Sequence, residues 1–239
     1  MVKDNPTSAG CFGNRLLDMS LGKSRSNSVL KHLEPIKCDF GDILAEPGQR
    51  IRYVYFPTSG FISLVAKADD HSTLEVGLIG DEGMLGTSLI LGINVSPLHA
   101  LVQGEGMALR MKASDFKREL SVNARLERDL RRYLYLLLVE LARASVCTRF
   151  HLVEARLSRW LLMTQDCAHA DHFSLKHEFL AKMLGVRRSG ITIAAGALQR
   201  KNLIHYNRGN ITVLDRAGLE RASCECYALI STMNKSLYS

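Results

Sequence analysis

Residues 185–208 hold the side chains best suited to binding a polyanion. Gly185 is followed by Val186-Arg187-Arg188-Ser189-Gly190-Ile191-Thr192-Ile193, with Lys201 and Arg208 further on. From Lys176 to Arg208 there are seven basic side chains and one acid, Glu178. A guanidinium at Arg188 can present two parallel donors to O6 and N7 of a guanine, the strongest base-specific contact a side chain makes. Ser189 and Thr192 offer hydroxyls to base edges, and Ile193 offers an apolar surface to a thymine methyl. Arg187, Lys201 and Arg208 suit phosphate oxygens. Unless an element aims them, the same residues are only a solvated basic face.

Other groupings carry less. Cys167, His169, Asp171, His172 and His177 are metal-capable, but their spacing matches no standard zinc pattern. Cys224-Glu225-Cys226 is a redox or metal pair in principle, yet two helical residues so spaced point about 200° apart, which disfavours joint ligation. No metal and no cofactor are therefore expected. Gly80–Gly86 lacks the Lys and Ser/Thr of a nucleotide-phosphate loop. No nucleophile–base pattern or paired carboxylates stand out, so an enzyme is not expected. The six cysteines are scattered and no apolar leader precedes them, which predicts free thiols and a cytoplasmic protein.

The elements needed to aim residues 187–208 can be read from the pattern. Ser174 is placed to cap a helix whose stripe is Phe179, Leu180, Met183 and Leu184. Gly185 stops it and supplies a tight turn. A second helix begins near Arg187–Ser189 with Ile191, Ala194, Ala195 and Leu198 facing inward. Ile204–Tyr206 and Ile211–Leu214 flank Asn207-Arg208-Gly209-Asn210, which has hairpin-turn chemistry. Helix, turn, helix and hairpin make a winged helix, whose second helix presents its N-terminal residues to a DNA major groove.

Upstream, Gly and Pro vanish between Lys112 and Met163. A long helix is predicted over 121–148. Its seam is Leu126, Leu130, Tyr133 and Leu137, continuing through Leu141, Ala144 and Thr148. Such a repeat fits either the chain's own core or the same helix of a second copy, with Leu134 and Leu138 on the opposite side. A homodimer joined by the seam is the expectation. From Ile36 to Met111 short β-branched and aromatic runs alternate with turn residues, which predicts an antiparallel roll or barrel. The expected divisions are a flexible arm (1–28), a roll (29–120), a dimerisation helix (121–150) and a winged helix (151–239), an α+β protein. The 239 residues carry a net charge of +7. Its distribution is uneven: 39–110 holds nine acids and four bases, and 151–239 holds twelve bases and seven acids. No apolar run approaches the roughly 20 residues of a membrane span.

The order of motifs resembles the Crp–Fnr family of bacterial transcription regulators over nearly the whole chain. The resemblance rests on Gly41-Asp42-Ile43-Leu44 with Glu46-Pro47-Gly48, then Tyr55-Phe56-Pro57, Gly80–Gly86, the long helix and Phe179–Ile204. It implies a sensor roll of the cyclic-nucleotide-binding type, a dimerising helix and a winged helix on palindromic DNA, with double-stranded DNA and RNA polymerase as partners. In nucleotide-binding members a Gly-Glu pair holds the ribose and an Arg-Ser or Arg-Thr pair holds the phosphate. Here the aligned positions are Gly83-Met84 and Leu98-His99. A thioether cannot accept as a carboxylate does, and Leu98 neutralises no phosphate. A degenerate pocket and an effector other than a cyclic nucleotide are expected. Only Cys11 lies in the arm where iron–sulfur members carry their cysteine cluster. The alternative is a redox or small-ligand sensor, working through Cys224 and Cys226 or the roll pocket, whose main role is not DNA binding.

Overall fold

The computed structural model describes residues 12–22, 28–67 and 73–238. Cys11 and the start of the expected arm lie outside them. The described chain begins with α1 (Arg15–Leu21). Asn14 caps it, accepting from the Leu17 amide at 3.0 Å. The same side chain donates to the carbonyls of Pro57 and Gly83 at 2.8 and 3.0 Å. Leu16, Leu17 and Leu21 are buried. Between Asn14 and Gly22 the expected flexible arm is therefore a docked helix, because three leucines fall on one face and a buried amide bonds it to the roll.

The roll is built from β1 (Glu34–Cys38), β2 (Ile43–Ala45), β3 (Tyr53–Pro57), β4 (Phe61–Lys67), β5 (Thr73–Ile79), β6 (His99–Gly104) and β7 (Gly106–Lys112). Two antiparallel sheets form, in the orders β1-β7-β3 and β2-β6-β4-β5. Ile62, Ile79, Leu85, Ala100, Val102 and Ala108 fill the space between them. The alternating runs announced β3 to β7. β1 and β2 gave a weak signal because β1 buries only its last residue, Cys38, and β2 has only three residues, none of them fully buried.

The helical half continues with α2 (Ala113–Val122), α3 (Ala124–Phe150) and α4 (Val153–Ala168). Asn123 ends α2, and its side chain accepts from the Leu126 amide at 3.1 Å. The long helix therefore starts at 124 rather than 121. Its 27 residues span about 40 Å. Then come β8 (His172–Ser174), α5 (His177–Leu184), α6 (Arg188–Arg200), β9 (Ile204–Asn207), β10 (Asn210–Val213), α7 (Arg216–Ala222) and α8 (Glu225–Tyr238). The three strands form one sheet in the order β8-β10-β9. α8 runs back along α3, and its Tyr238 hydroxyl donates to the Glu82 carbonyl of the roll. Among the described residues no helix is long and apolar enough to cross a membrane.

The seam on α3 turns inward. Leu126, Leu130, Tyr133, Leu137 and Ala144 are at most 9% exposed, packed on the chain's own roll and helices. Of the expected dimer seam only Leu141 is exposed, with Thr148 beyond it. The correction has a physical cause. α1, the roll and α8 together cover more of α3 than the roll alone would. The residues left outside are Leu138, Leu141 and Ser145, with Leu138 59% exposed, while Leu134 is half-buried against the chain's own core.

Candidate nucleic-acid interface

The winged helix is assembled around Leu157, Leu161, Leu180, Ile191, Leu198 and Ile211, all completely buried. Lys176 rather than Ser174 precedes α5, because Ser174 is taken up in β8, opposite Asn210. Gly185 sits at φ +61, the left-handed conformation that favours glycine, and its amide caps α5 onto the Ala181 and Lys182 carbonyls. A Cβ there would also come within 3.0 Å of Leu74 of β5. The turn thus favours glycine at 185, and any larger residue would also push the tip of the Leu74 side chain aside.

After the turn, α6 buries Ile191, Ala194, Ala195 and Leu198 and leaves Arg187, Arg188, Ser189, Thr192 and Ile193 exposed. Ile193 is 70% exposed, far more than a folding role would ask of it. The four residues expected to read bases thus lie together on the outer face of the helix's first turns. Thr192 is not wholly free: its hydroxyl donates to the Arg188 carbonyl at 3.1 Å and lies 3.0 Å from Nδ1 of His177.

Among the residues expected on phosphate, Arg187 is the exposed N-cap residue of α6. Arg208 and Gly209, at φ +46 and +90, form the two-residue turn of the hairpin, which puts the Arg208 guanidinium at the tip of the wing. Lys201 is placed differently. It follows α6, about 20 Å along the helix from Arg188, and is paired with Glu154 of α4 at 2.6 Å. A helix of thirteen residues carries Lys201 away from the face its neighbours in sequence share.

The sequence reading counted Lys176 only as the start of the basic segment and His177 only in a metal-capable group, yet both stand at the start of α5, where His177 meets Thr192 of α6. The His177 ring stacks on Tyr206 of the wing, centroids 4.2 Å apart. Desolvation, and then the Arg188 charge, hold His177 below its ordinary 6.5. The only signal for this stack was a lone histidine 29 residues before a tyrosine, which no periodicity connects.

The roll encloses a cavity of about 600 Å³ lined by Leu64, Ile79, Met84, Leu85, Thr87, Ser88, Ser96 and Leu98, with Glu46, Arg50 and Arg52 among its polar groups. Met84 and Leu98 fall where expected; Gly83 and His99 do not. Gly83 lies against α3, where a Cβ would strike the Tyr133 hydroxyl, while the Met84 amide donates to that hydroxyl at 3.3 Å. His99 is a half-buried residue of β6 paired with Val65. In a strand, neighbours in sequence face opposite sides, so one residue of an adjacent pair need not line the cavity. Arg50 and Arg52, on the β2–β3 connection, were not anticipated.

The described chain thus joins an antiparallel roll, through a long helix, to a winged helix-turn-helix. Residues 155–222 match the Crp-like helix-turn-helix domain. No curated protein matches the chain. Solved structures do. A transcriptional regulator of the crp/fnr family from Eubacterium rectale is 17% identical with a TM-score of 0.67, over 82% of this chain and 94% of its own. FixK2 from Bradyrhizobium japonicum is 13% identical with a TM-score of 0.68, over 80% and 98%. The c-di-GMP-responsive global regulator CLP of Xanthomonas campestris is 18% identical with a TM-score of 0.61, over 78% and 96%. The chain therefore has the fold of the Crp/FNR transcription regulators and carries a Crp-like helix-turn-helix domain.

Proposed function

We propose that this chain is a sequence-specific, homodimeric DNA-binding regulator that acts on RNA polymerase through palindromic sites. The observation that carries the reading is the outer face of α6. Arg188, Ser189, Thr192 and Ile193 are exposed together while the inner face is apolar and buried. The alternative, a sensor whose DNA contact is incidental, gives that face no use. The exposed leucines of α3, Leu138 and Leu141, supply the dimer contact and set two α6 helices on one duplex. The effector is not a cyclic nucleotide held by the usual pair of contacts, since Met84 and Leu98 stand at those positions.

Selection of bound duplexes from a random pool should recover a palindrome whose half-sites are about one helical turn apart. On the recovered site, Arg188→Ala should cost about 1–3 kcal/mol per half-site and relax one base, sparing scrambled DNA. Arg208→Ala should weaken both DNAs alike and flatten the salt slope by roughly one per contact. A pool that yields no enriched site overturns the reading. Equal losses for Arg188→Ala on both DNAs overturn the placement of α6.

A further inference from the structure

Away from the DNA-facing surface and the cavity, one group of metal-capable side chains converges among the described residues. Cys147 lies in the last turns of α3, and His151 is the C-cap residue of that helix. Cys224 ends the α7–α8 connection, and Cys226 is in the first turn of α8. The Sγ atoms of Cys147 and Cys224 are 3.5 Å apart. Sγ of Cys226 is 3.7 Å from Nδ1 of His151. All four donor atoms lie within 4.8 Å of one another. The three thiols are buried and the imidazole is half-buried.

We propose that Cys147, His151, Cys224 and Cys226 form a structural site for a thiophilic divalent cation, with zinc the fitting ion. Zinc takes sulfur at about 2.3 Å and imidazole nitrogen at about 2.0–2.1 Å in a tetrahedron. The edges of such a tetrahedron are about 3.8 Å between sulfurs and about 3.6 Å between sulfur and nitrogen. The observed 3.5 and 3.7 Å need only small side-chain adjustments. Four protein donors close the coordination sphere, which is the mark of a structural site.

A further observation points the same way. With Nδ1 turned to the thiols, Nε2 of His151 lies 3.1 Å from Oε1 of Glu225. That is the carboxylate–histidine arrangement which orients a ligating imidazole. The argument from helix geometry against Cys224 and Cys226 acting together does not apply. Cys224 precedes the helix, so its side chain is free of the 100° step that separates helical neighbours. The ion would join the end of α3 to the start of α8.

The test uses the full-length protein, reduced, stripped of metal and then titrated with zinc or cobalt. One tightly held ion per chain is expected, with cobalt giving the strong ligand-field bands of a tetrahedral site and thiolate-to-metal charge transfer. Cys147→Ser and Cys226→Ser should abolish the stoichiometric site. Glu225→Gln should lower affinity about 10–100-fold, and Cys38→Ala should leave it intact. The wild-type cobalt spectrum decides the matter even where a cysteine variant fails to fold. Overturning results are a wild type that holds no ion, a weak octahedral cobalt spectrum, or full retention by folded Cys147→Ser and Cys226→Ser. A Cys147–Cys224 disulfide that persists under reducing conditions also overturns the proposal.

Discussion

Glu75 lies where the roll meets the winged helix, and it is the carboxylate whose removal tests that junction. On β5, its Oε1 accepts from Trp160 Nε1 of α4 at 2.6 Å and its Oε2 from Ser63 Oγ of β4 at 2.6 Å. Desolvation outweighs both donated bonds and raises its pKa from the ordinary 4.5 to about 7. Between those two values the folded chain holds a proton that the unfolded chain has released, so stability falls as pH rises. Above about 7 both states are ionised and the loss is complete. At about 1.4 kcal/mol per pH unit, the gap between 4.5 and about 7 amounts to about 3 kcal/mol. Glu75→Gln keeps the shape and an acceptor for Trp160 but never ionises. Urea unfolding of both proteins across pH 4.5–8.5 should show the variant close to wild type at the acid end and about 3 kcal/mol more stable at the alkaline end. Comparing the two cancels Glu140, which burial raises to about 8 and which adds its own slope to both curves. A difference that stays flat with pH would refute the reasoning, because it would mean that water reaches the carboxylate and the junction is open.

Leu138→Lys should give a monomer in light scattering at micromolar concentration with an unchanged circular dichroism spectrum, because Leu138 is 59% exposed. Leu137→Lys, one residue away, should instead unfold the chain, because a buried charge would replace a leucine only 9% exposed; a folded Leu137→Lys monomer would reverse the assignment of the two faces. Calorimetry with cyclic AMP and cyclic GMP should detect no micromolar binding to the roll, and micromolar affinity for either would place the phosphate on Arg50 or Arg52 instead.

The sequence announced those elements whose pattern repeats within a few residues. β3 to β7, the Gly185 turn, α6 and the wing all carry a local period or a required turn residue, and each stands close to where the pattern puts it. The exposed face of α6 was readable for the same reason: Ile191, Ala194, Ala195 and Leu198 mark the inner side, so Arg188, Ser189, Thr192 and Ile193 must lie outside. What could not be read depends on partners far along the chain. A 4-3-4 stripe says that a helix face is covered but not by what, so Leu126–Leu137 suited a second copy as well as the chain's own core. The return of α8 along α3 decides the matter, and nothing in α8 alone announces its partner. The convergence of Cys147 and Cys224 was hidden likewise, since 77 residues separate them.

The cavity, the long helix and the winged helix share contacts that give the architecture a physical logic. Met84 lines the cavity, and its amide donates to the Tyr133 hydroxyl of α3. Leu64 and Ile79 line it from β4 and β5. β5 then carries Leu74 to the Gly185 turn and Glu75 to Trp160. On the far side of the same junction, Arg156 of α4 donates to the Leu184 carbonyl at the end of α5. The turn that sets the angle between α5 and α6 thus rests on a strand whose other end borders the cavity. Contiguity of this kind permits coupling without proving it. A ligand shifts the angle only if it binds one arrangement of β5 or Met84 more tightly than another. An effector that contacts only Arg50, Arg52 and Glu46 on the β2–β3 connection would fill the cavity and leave α6 where it stands. One that presses on Met84 or Ile79 has a route to both α3 and the Gly185 turn.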